Sequence, residues 1–138
     1  MLVRMCTPDD ILLDDPVRPN IPPEDRVNYM SEVFMWIHDK KVGAVLCLCY
    51  QNSIPTTEAG LFKCDSKAPY HAILYSVWSY DKGCGRALVN ATIEHAREML
   101  PHRRIITMSP KTEMAERFHL GNGAVLLRTN EETVNYEY

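Results

Sequence analysis

The sequence predicts an α/β domain on a mixed sheet of about six to seven strands. Three observations carry that expectation. The 138 residues, 46% apolar and 24% charged, suit one globular core and neither a disordered tail nor a fibre. Runs rich in β-branched and aromatic residues alternate with two stretches of helical apolar spacing. Strand 70–79, helix 84–100 and strand 104–108 form a crossover that is right-handed by default, which sets the two strands side by side and parallel.

The elements follow in order. Residues 2–6, LVRMC, are a short strand. Residues 7–24, rich in proline and aspartate, are loop with one short turn. Pro22 and Pro23 open a helix that runs to about Ser31, because proline suits a first turn. Residues 32–38 and 42–51 are strands around the polar turn Asp39-Lys40-Lys41, and so a hairpin. Residues 52–69 are a polar connection with a short extended piece at 60–63. Residues 70–79, YHAILYSVWS, are apolar on both faces, as a central strand is.

The helix 84–100 has its apolar stripe at Leu88, Val89, Thr92, Ile93, Ala96, Met99 and Leu100, and Pro101 ends it. Residues 104–108 are a strand. Ser109-Pro110 is read as the cap and first turn of a helix that carries Met114, Ala115 and Phe118 inward and stops at Gly121-Asn122-Gly123. Residues 124–128 and 133–138 are the last two strands. No internal repeat or second composition zone divides the chain, so residues 1–138 are expected to be one domain.

The same numbers exclude several functions. The longest apolar run, Val42 to Tyr50, is about half a membrane span, so no membrane partner is expected. The N-terminus reaches acid within its first ten residues without a signal-like apolar region, which points to the cytoplasm. A net charge of −3 disfavours a protein that works by neutralising phosphates, so a nucleic-acid partner is not expected. The five cysteines read as reduced core thiols, and Cys47 and Cys49 lack the second pair that a zinc site needs, so no metal is expected.

The informative segment is SYDKGCGRAL, Ser79 to Leu88, between a strand and a helix. Gly83 and Gly85 let the backbone turn tightly and approach a ligand closely. The free amides and dipole of the helix start make an anion site, to which Lys82 and Arg86 add charge, and a pyrophosphate suits it. A plain glycine turn is the other reading. No Gly-Lys-Ser/Thr follows, so this is not a Walker loop. Leu88 stands where a dinucleotide fold needs its third glycine.

These residues resemble the acyl-CoA loop of the GNAT family of N-acetyltransferases, Q/R-x-x-G-x-G/A-x-x-L, here Tyr80 to Leu88. A second family block, N-x-x-A-x-x-F/L-Y-x-x-x-G-F/A, resembles Thr112 to Ala124. Gly43 in the hairpin also matches a common position, and the resemblance covers roughly residues 33–125. The compact size and short ends are similar to phage-encoded members. Three residues depart from the pattern: Tyr80 for Gln or Arg, Thr112 for Asn, and His119 for Tyr.

The resemblance implies a GNAT-like sheet whose central parallel strands splay apart. Acetyl-CoA would be the acyl donor and a small-molecule or peptide amine the acceptor, with direct attack in a ternary complex and no metal. The pantetheine arm would bond the backbone at Val77, Trp78 and Ser79. The pyrophosphate would sit on amides of Lys82, Gly83, Cys84, Gly85, Arg86 and Ala87, with Thr112 near the arm. A backbone amide near Val77 or Trp78 would polarise the thioester carbonyl. His119 would return a proton to the thiolate, since histidine titrates near neutrality; packing beside the cofactor is the alternative. His71, Tyr75 and Glu58 are the candidates for the base.

Cys84 is a conceivable nucleophile or a core residue. His95, Arg97, His102, Arg103 and Arg104 would hold the CoA 3′-phosphate or form a solvated helix end. The acidic stretch within 7–32 would suit a cationic amine if it lined the pocket. A non-catalytic acyl-CoA-binding module, and a nucleic-acid base-modifying relative, are the alternatives. A homodimer is left open.

Overall fold

A computed structural model describes residues 1–64 and 67–138, so the expected polar connection is described except at 65–66. Eight strands form one sheet: β1 Leu2–Arg4, β2 Ser31–His38, β3 Lys41–Gln51, β4 His71–Ser79, β5 Arg104–Thr107, β6 Ser109–Pro110, β7 Val125–Thr129 and β8 Thr133–Glu137. Their order is β1-β2-β3-β4-β5-β8-β6, with β7 on β8. The helices are α1 Pro23–Arg26, α2 Cys84–Met99 and α3 Glu113–Gly121. All neighbours are antiparallel except β4 and β5, so the mixed sheet and its parallel centre are as the sequence predicts.

The sheet is buried on both faces. On one, Val45, Cys47, Ile73, Tyr75, Trp78 and Ile106 pack under Leu12, Ile21 and Leu61 from the two long connections. On the other, Leu46, Leu48, Ala72, Leu74 and Ile105 pack against Leu88, Val89 and Ile93 of α2. Met99 and Leu100, expected inward, are exposed at the C-terminal end of α2, where they border a groove with Leu2, Phe34 and Tyr50 of the sheet.

Four expectations change. The helix from Pro22 closes a single turn, Pro23–Arg26, and the chain then bends into β2 through an isolated bridge between Asn28 and Ser31. The piece at 60–63 is not extended, and Glu58–Gly60 is a 3-10 turn instead. Ser109 and Pro110 do not start a helix. They pair with Val134 and Thr133, and Thr112 is the real cap, its hydroxyl accepting from the Ala115 amide at 3.2 Å. That shift rotates α3, so the inward residues are Ala115, Phe118 and His119, while Met114 is 82% exposed.

Two irregularities shape the centre. Cys47 pairs Ser76 while Leu48 pairs Leu74, so Tyr75 is an extra residue in β4. Tyr75 and Trp78, three apart, therefore share a face. Trp36 pairs Ala44 while Ile37 pairs Val42, so Gly43 is the extra residue in β3.

Candidate active site

The parallel pairing of β4 and β5 covers only His71–Leu74 and Arg104–Thr107. Its last bond runs from the Met108 amide to the Leu74 carbonyl, 2.9 Å. Beyond it the chain turns to β8, and residues 75–79 of β4 lose their neighbour on that side. The Tyr80 amide bonds Gly43 of β3 at 2.8 Å, so by strand alternation Val77 and Ser79 aim their N–H and C=O groups at the open side. The expected splay is therefore present, and the bulge at Tyr75 sets which residues face it.

A cleft of about 360 Å³ fills the splay. It runs from Pro16 and Val17 on one side of the sheet, past β4, to Gly85, Thr112, Ala115, Phe118 and His119 on the other. Tyr75, Val77, Trp78, Ser79, Gly85, Thr112 and His119, all singled out in the sequence, line it together.

At its α2 end the loop 80–83 holds a tight shape. Gly83 has φ +85°, a left-handed conformation that a side chain rarely takes. The amides of Tyr80 and Asp81 both bond the Gly43 carbonyl, so the β3 bulge anchors the loop. A side chain on Gly43 would strike the Cys84 sulfur at 2.5 Å. Cys84 is thus buried in the α2 core, as its plainer reading has it. The Cys84 amide bonds Asp81 and the Ala87 amide bonds Gly83. Among the described residues, the amides of Lys82, Gly83, Gly85 and Arg86 bond no protein group and stay free for an anion. The Lys82 and Arg86 side chains are exposed beside them.

Tyr80, the departure at the head of the loop, has a role of its own. Its hydroxyl donates to Asp14 Oδ2 at 2.6 Å and accepts from Trp78 Nε1 at 3.0 Å. Asp14 ends the 3-10 helix Asp10–Asp14, so this chain of bonds ties the anion loop to the segment covering the cleft's other mouth. That segment is stitched by Arg26, which is fully buried. Its guanidinium pairs with Asp15 and donates to the carbonyls of Arg18 and Ile21. Asp15 in turn accepts from the amides of Val17, 2.7 Å, and Arg18, 3.1 Å, and so sets Pro16 and Val17 over the cleft. The acidic stretch therefore does not line a cationic pocket as a whole: Asp15 is consumed internally and Asp14 holds the loop.

His119 is 3% exposed. Its ring stacks on Tyr136 at 5.4 Å and its Nδ1 lies 2.7 Å from the Tyr138 hydroxyl. Burial pushes its pKa down to about 4, so the ring is neutral at pH 7. This changes the expectation of an acid titrating near neutrality: the ring stands in the cleft wall as a neutral imidazole. No local pattern in the sequence marks Tyr138, because only the β8 register brings residue 138 beside residue 119.

The base candidates separate. Tyr75 lines the cleft, but burial raises its phenol far above the ordinary value, so it stays protonated. His71 lies at the opposite end of β4, between Gln51 and Arg104, and does not reach the cleft. Glu58 sits 3.9 Å from Arg18 and does not line the cleft. The basic cluster disperses as well. Arg104 forms two 2.8 Å bonds to Glu137, Arg103 lies over the Tyr50 ring at 4.6 Å, and His95 packs on Phe34. These residues sit at the far end of α2 from the anion loop. No group of metal-ligating side chains occurs among the described residues, and no helix among them is long and apolar enough to cross a membrane.

No protein-family model and no curated protein matches the sequence. Solved structures do match by shape. A structure described as malonyl-CoA decarboxylase from Agrobacterium vitis superposes with a TM-score of 0.80 at 17% identity, covering 100% of this chain and 60% of that one. This chain therefore spans about 60% of the length of that protein. A Bacillus subtilis acetyltransferase in complex with CoA gives 0.67 at 13% identity, covering 99% and 93%. The Campylobacter jejuni N-acetyltransferase PseH in complex with acetyl coenzyme A gives 0.58 at 15% identity, covering 80% and 69%. The fold is that of the GNAT acetyltransferases: a mixed sheet of splayed central strands flanked by helices.

Proposed function

We propose that residues 1–138 form one acyl-CoA-dependent N-acyltransferase domain, with acetyl-CoA as donor and an amine as acceptor. One observation carries the reading: the unpaired edge of β4 and Gly85 at the start of α2 line the same apolar cleft, and the other unpaired amides of that turn are its immediate chain neighbours. An extended polar arm with a pyrophosphate at one end and a thioester at the other matches that pair of features. The solved relatives with CoA or acetyl-CoA support it.

The arm adds to β4 as a strand would, bonding the backbone at Val77 and Ser79. The pyrophosphate takes the amides of Lys82, Gly83, Gly85 and Arg86. The thioester then lies beside the bulged residues, where the Val77 N–H on the open side polarises its carbonyl; the Trp78 N–H, expected as the alternative, faces β3 instead. The neutral amine enters under Pro16 and Val17, attacks the carbonyl carbon, and loses its extra proton to water. The C–S bond breaks and the sulfur takes its proton from the His119 side. Thr112 acts through structure, capping α3 so that His119 faces the cleft.

The test is thiol release from acetyl-CoA with a panel of amines. Amine-dependent release supports transfer. Binding without release leaves a non-catalytic acyl-CoA module. The likeness to malonyl-CoA decarboxylase structures favours one further arm, malonyl-CoA without amine. Carbon dioxide release there would replace the transfer reading with decarboxylation.

A further inference from the structure

We infer that Tyr138 is a relay and positioning residue for His119, joining the reaction cleft to a second groove across a single hydrogen bond. The inference rests on the acyl-transfer reading above. His119 lines the cleft, whereas Tyr138 lines a separate surface groove of about 610 Å³ with Asn90, Glu94, Arg97 and Asn122. The side chains of the two meet in the 2.7 Å contact of His119 Nδ1 with Tyr138 Oη. The ring between them is held in place by Tyr136 stacked at 5.4 Å and by Phe118 edge-on at 5.2 Å.

In the relay the phenol donates to Nδ1. The Asn122 side-chain amide nitrogen, buried and without a hydrogen-bond partner among the described residues, lines the same groove as Tyr138 and is a donor available to the phenol oxygen. A neutral imidazole that accepts at Nδ1 carries its proton on Nε2. Among the described residues Nε2 has no hydrogen-bond partner, and it belongs to a side chain of the cleft wall. The bond to Tyr138 therefore selects the tautomer that presents a donor to the leaving sulfur.

The transfer balances without a charged histidine. As the C–S bond breaks, its electron pair goes to sulfur. An S–H bond forms while Nε2–H breaks. Nδ1–H forms while Oη–H of Tyr138 breaks, and the phenol regains a proton from water in the groove. The ring resets when Nε2 takes a proton from water entering the emptied cleft and Nδ1 passes its proton to Oη of Tyr138, which releases its own to the hydroxide left in the groove. Charged or titratable groups facing this pair are Glu116 near Tyr136 and Glu94, Arg97 and Glu98 across the groove.

The test uses the whole chain and has two readouts. Nitrogen-15 NMR of the histidine rings of the parent should show His119 with its proton on Nε2, and Tyr138→Phe should give a mixture of tautomers. In steady-state kinetics Tyr138→Phe should lower kcat about tenfold and leave KM for acetyl-CoA within about twofold. An Nδ1–H tautomer in the parent overturns the relay whatever the variant does. An active parent with a Tyr138→Phe variant of equal kcat overturns it too. A parent inactive with every amine sinks the acyl-transfer reading itself, and the relay with it.

Discussion

The two mouths of the cleft are built by different means. On the α2 side the groups that face the ligand are backbone amides, placed by two glycines, a strand end and a helix start. On the Pro16 side the wall is a loop held by side chains far apart in sequence: Arg26 to Asp15, Tyr80 to Asp14, Arg18 to the Met108 carbonyl. Backbone sites tolerate side-chain change, so the α2 side keeps its form although Tyr80, Thr112 and His119 all depart from the family pattern. Loop walls held by side chains depend on each partner. The contrast separates cofactor binding from acceptor binding in the response to mutation.

The largest stability effect should come from the acceptor side. Arg26→Met removes the guanidinium and leaves Asp15 buried without its counter-ion, a change that costs about 3–5 kcal/mol. Chemical denaturation should show it, with the midpoint falling and acceptor KM rising in whatever protein stays folded. A variant as stable as the parent would mean that the loop is held by its apolar residues alone.

Next comes His119. His119→Phe should lower turnover about 10²–10⁴-fold at nearly constant acetyl-CoA affinity, the range of a lost proton donor. It should also alter acid stability. With the folded pKa at about 4 and the unfolded one near 6.5, the unfolded chain binds more protons between those values. Stability therefore falls as pH drops through that window, by on the order of 3 kcal/mol from this group alone. Melting scans from pH 7 to pH 4 should be flatter for His119→Phe than for the parent. Equal slopes would place the acid sensitivity elsewhere.

The smallest effect sharpens the comparison most. Tyr80→Phe removes the bond to Asp14 across a partly exposed contact, about 1 kcal/mol. Because the loop amides stay in place, acetyl-CoA affinity should hold while acceptor KM rises a few-fold. A loss of acetyl-CoA affinity instead would show that the loop needs Tyr80 for its own shape.

The same contrast explains what the sequence discloses. The crossover, the glycine loop and the end of α3 at Gly121-Asn122 are local, and their periodicity and spacing predict them. Gly83 stands at the head of α2 for the same reason. The helix expected from Pro22 fails because Arg26 turns inward to Asp15, a contact no local pattern carries. Ser109-Pro110 looks like a helix start by residue type, but β8 captures it as a strand. His71 and Tyr75 share a strand, yet the two-to-one pairing at Tyr75 and the length of β4 separate their environments. The partnership of His119 and Tyr138 depends on how β8 returns beside β5, through Ile106 and Glu137, which only the assembled sheet determines.

The central claim is that the backbone loop at the start of α2 holds an acyl-CoA. The measurement that tests it most directly is calorimetric titration of acetyl-CoA into the parent and into Gly83→Val, side by side. At φ +85° valine strains the loop by about 1–3 kcal/mol and turns the neighbouring amides, while no other atom lies within 4 Å to disturb the core. The account predicts saturable one-to-one binding by the parent and at least tenfold weaker binding by a variant that still melts cooperatively. Equal affinity in the two proteins, or no binding by the parent at millimolar acetyl-CoA, would contradict it.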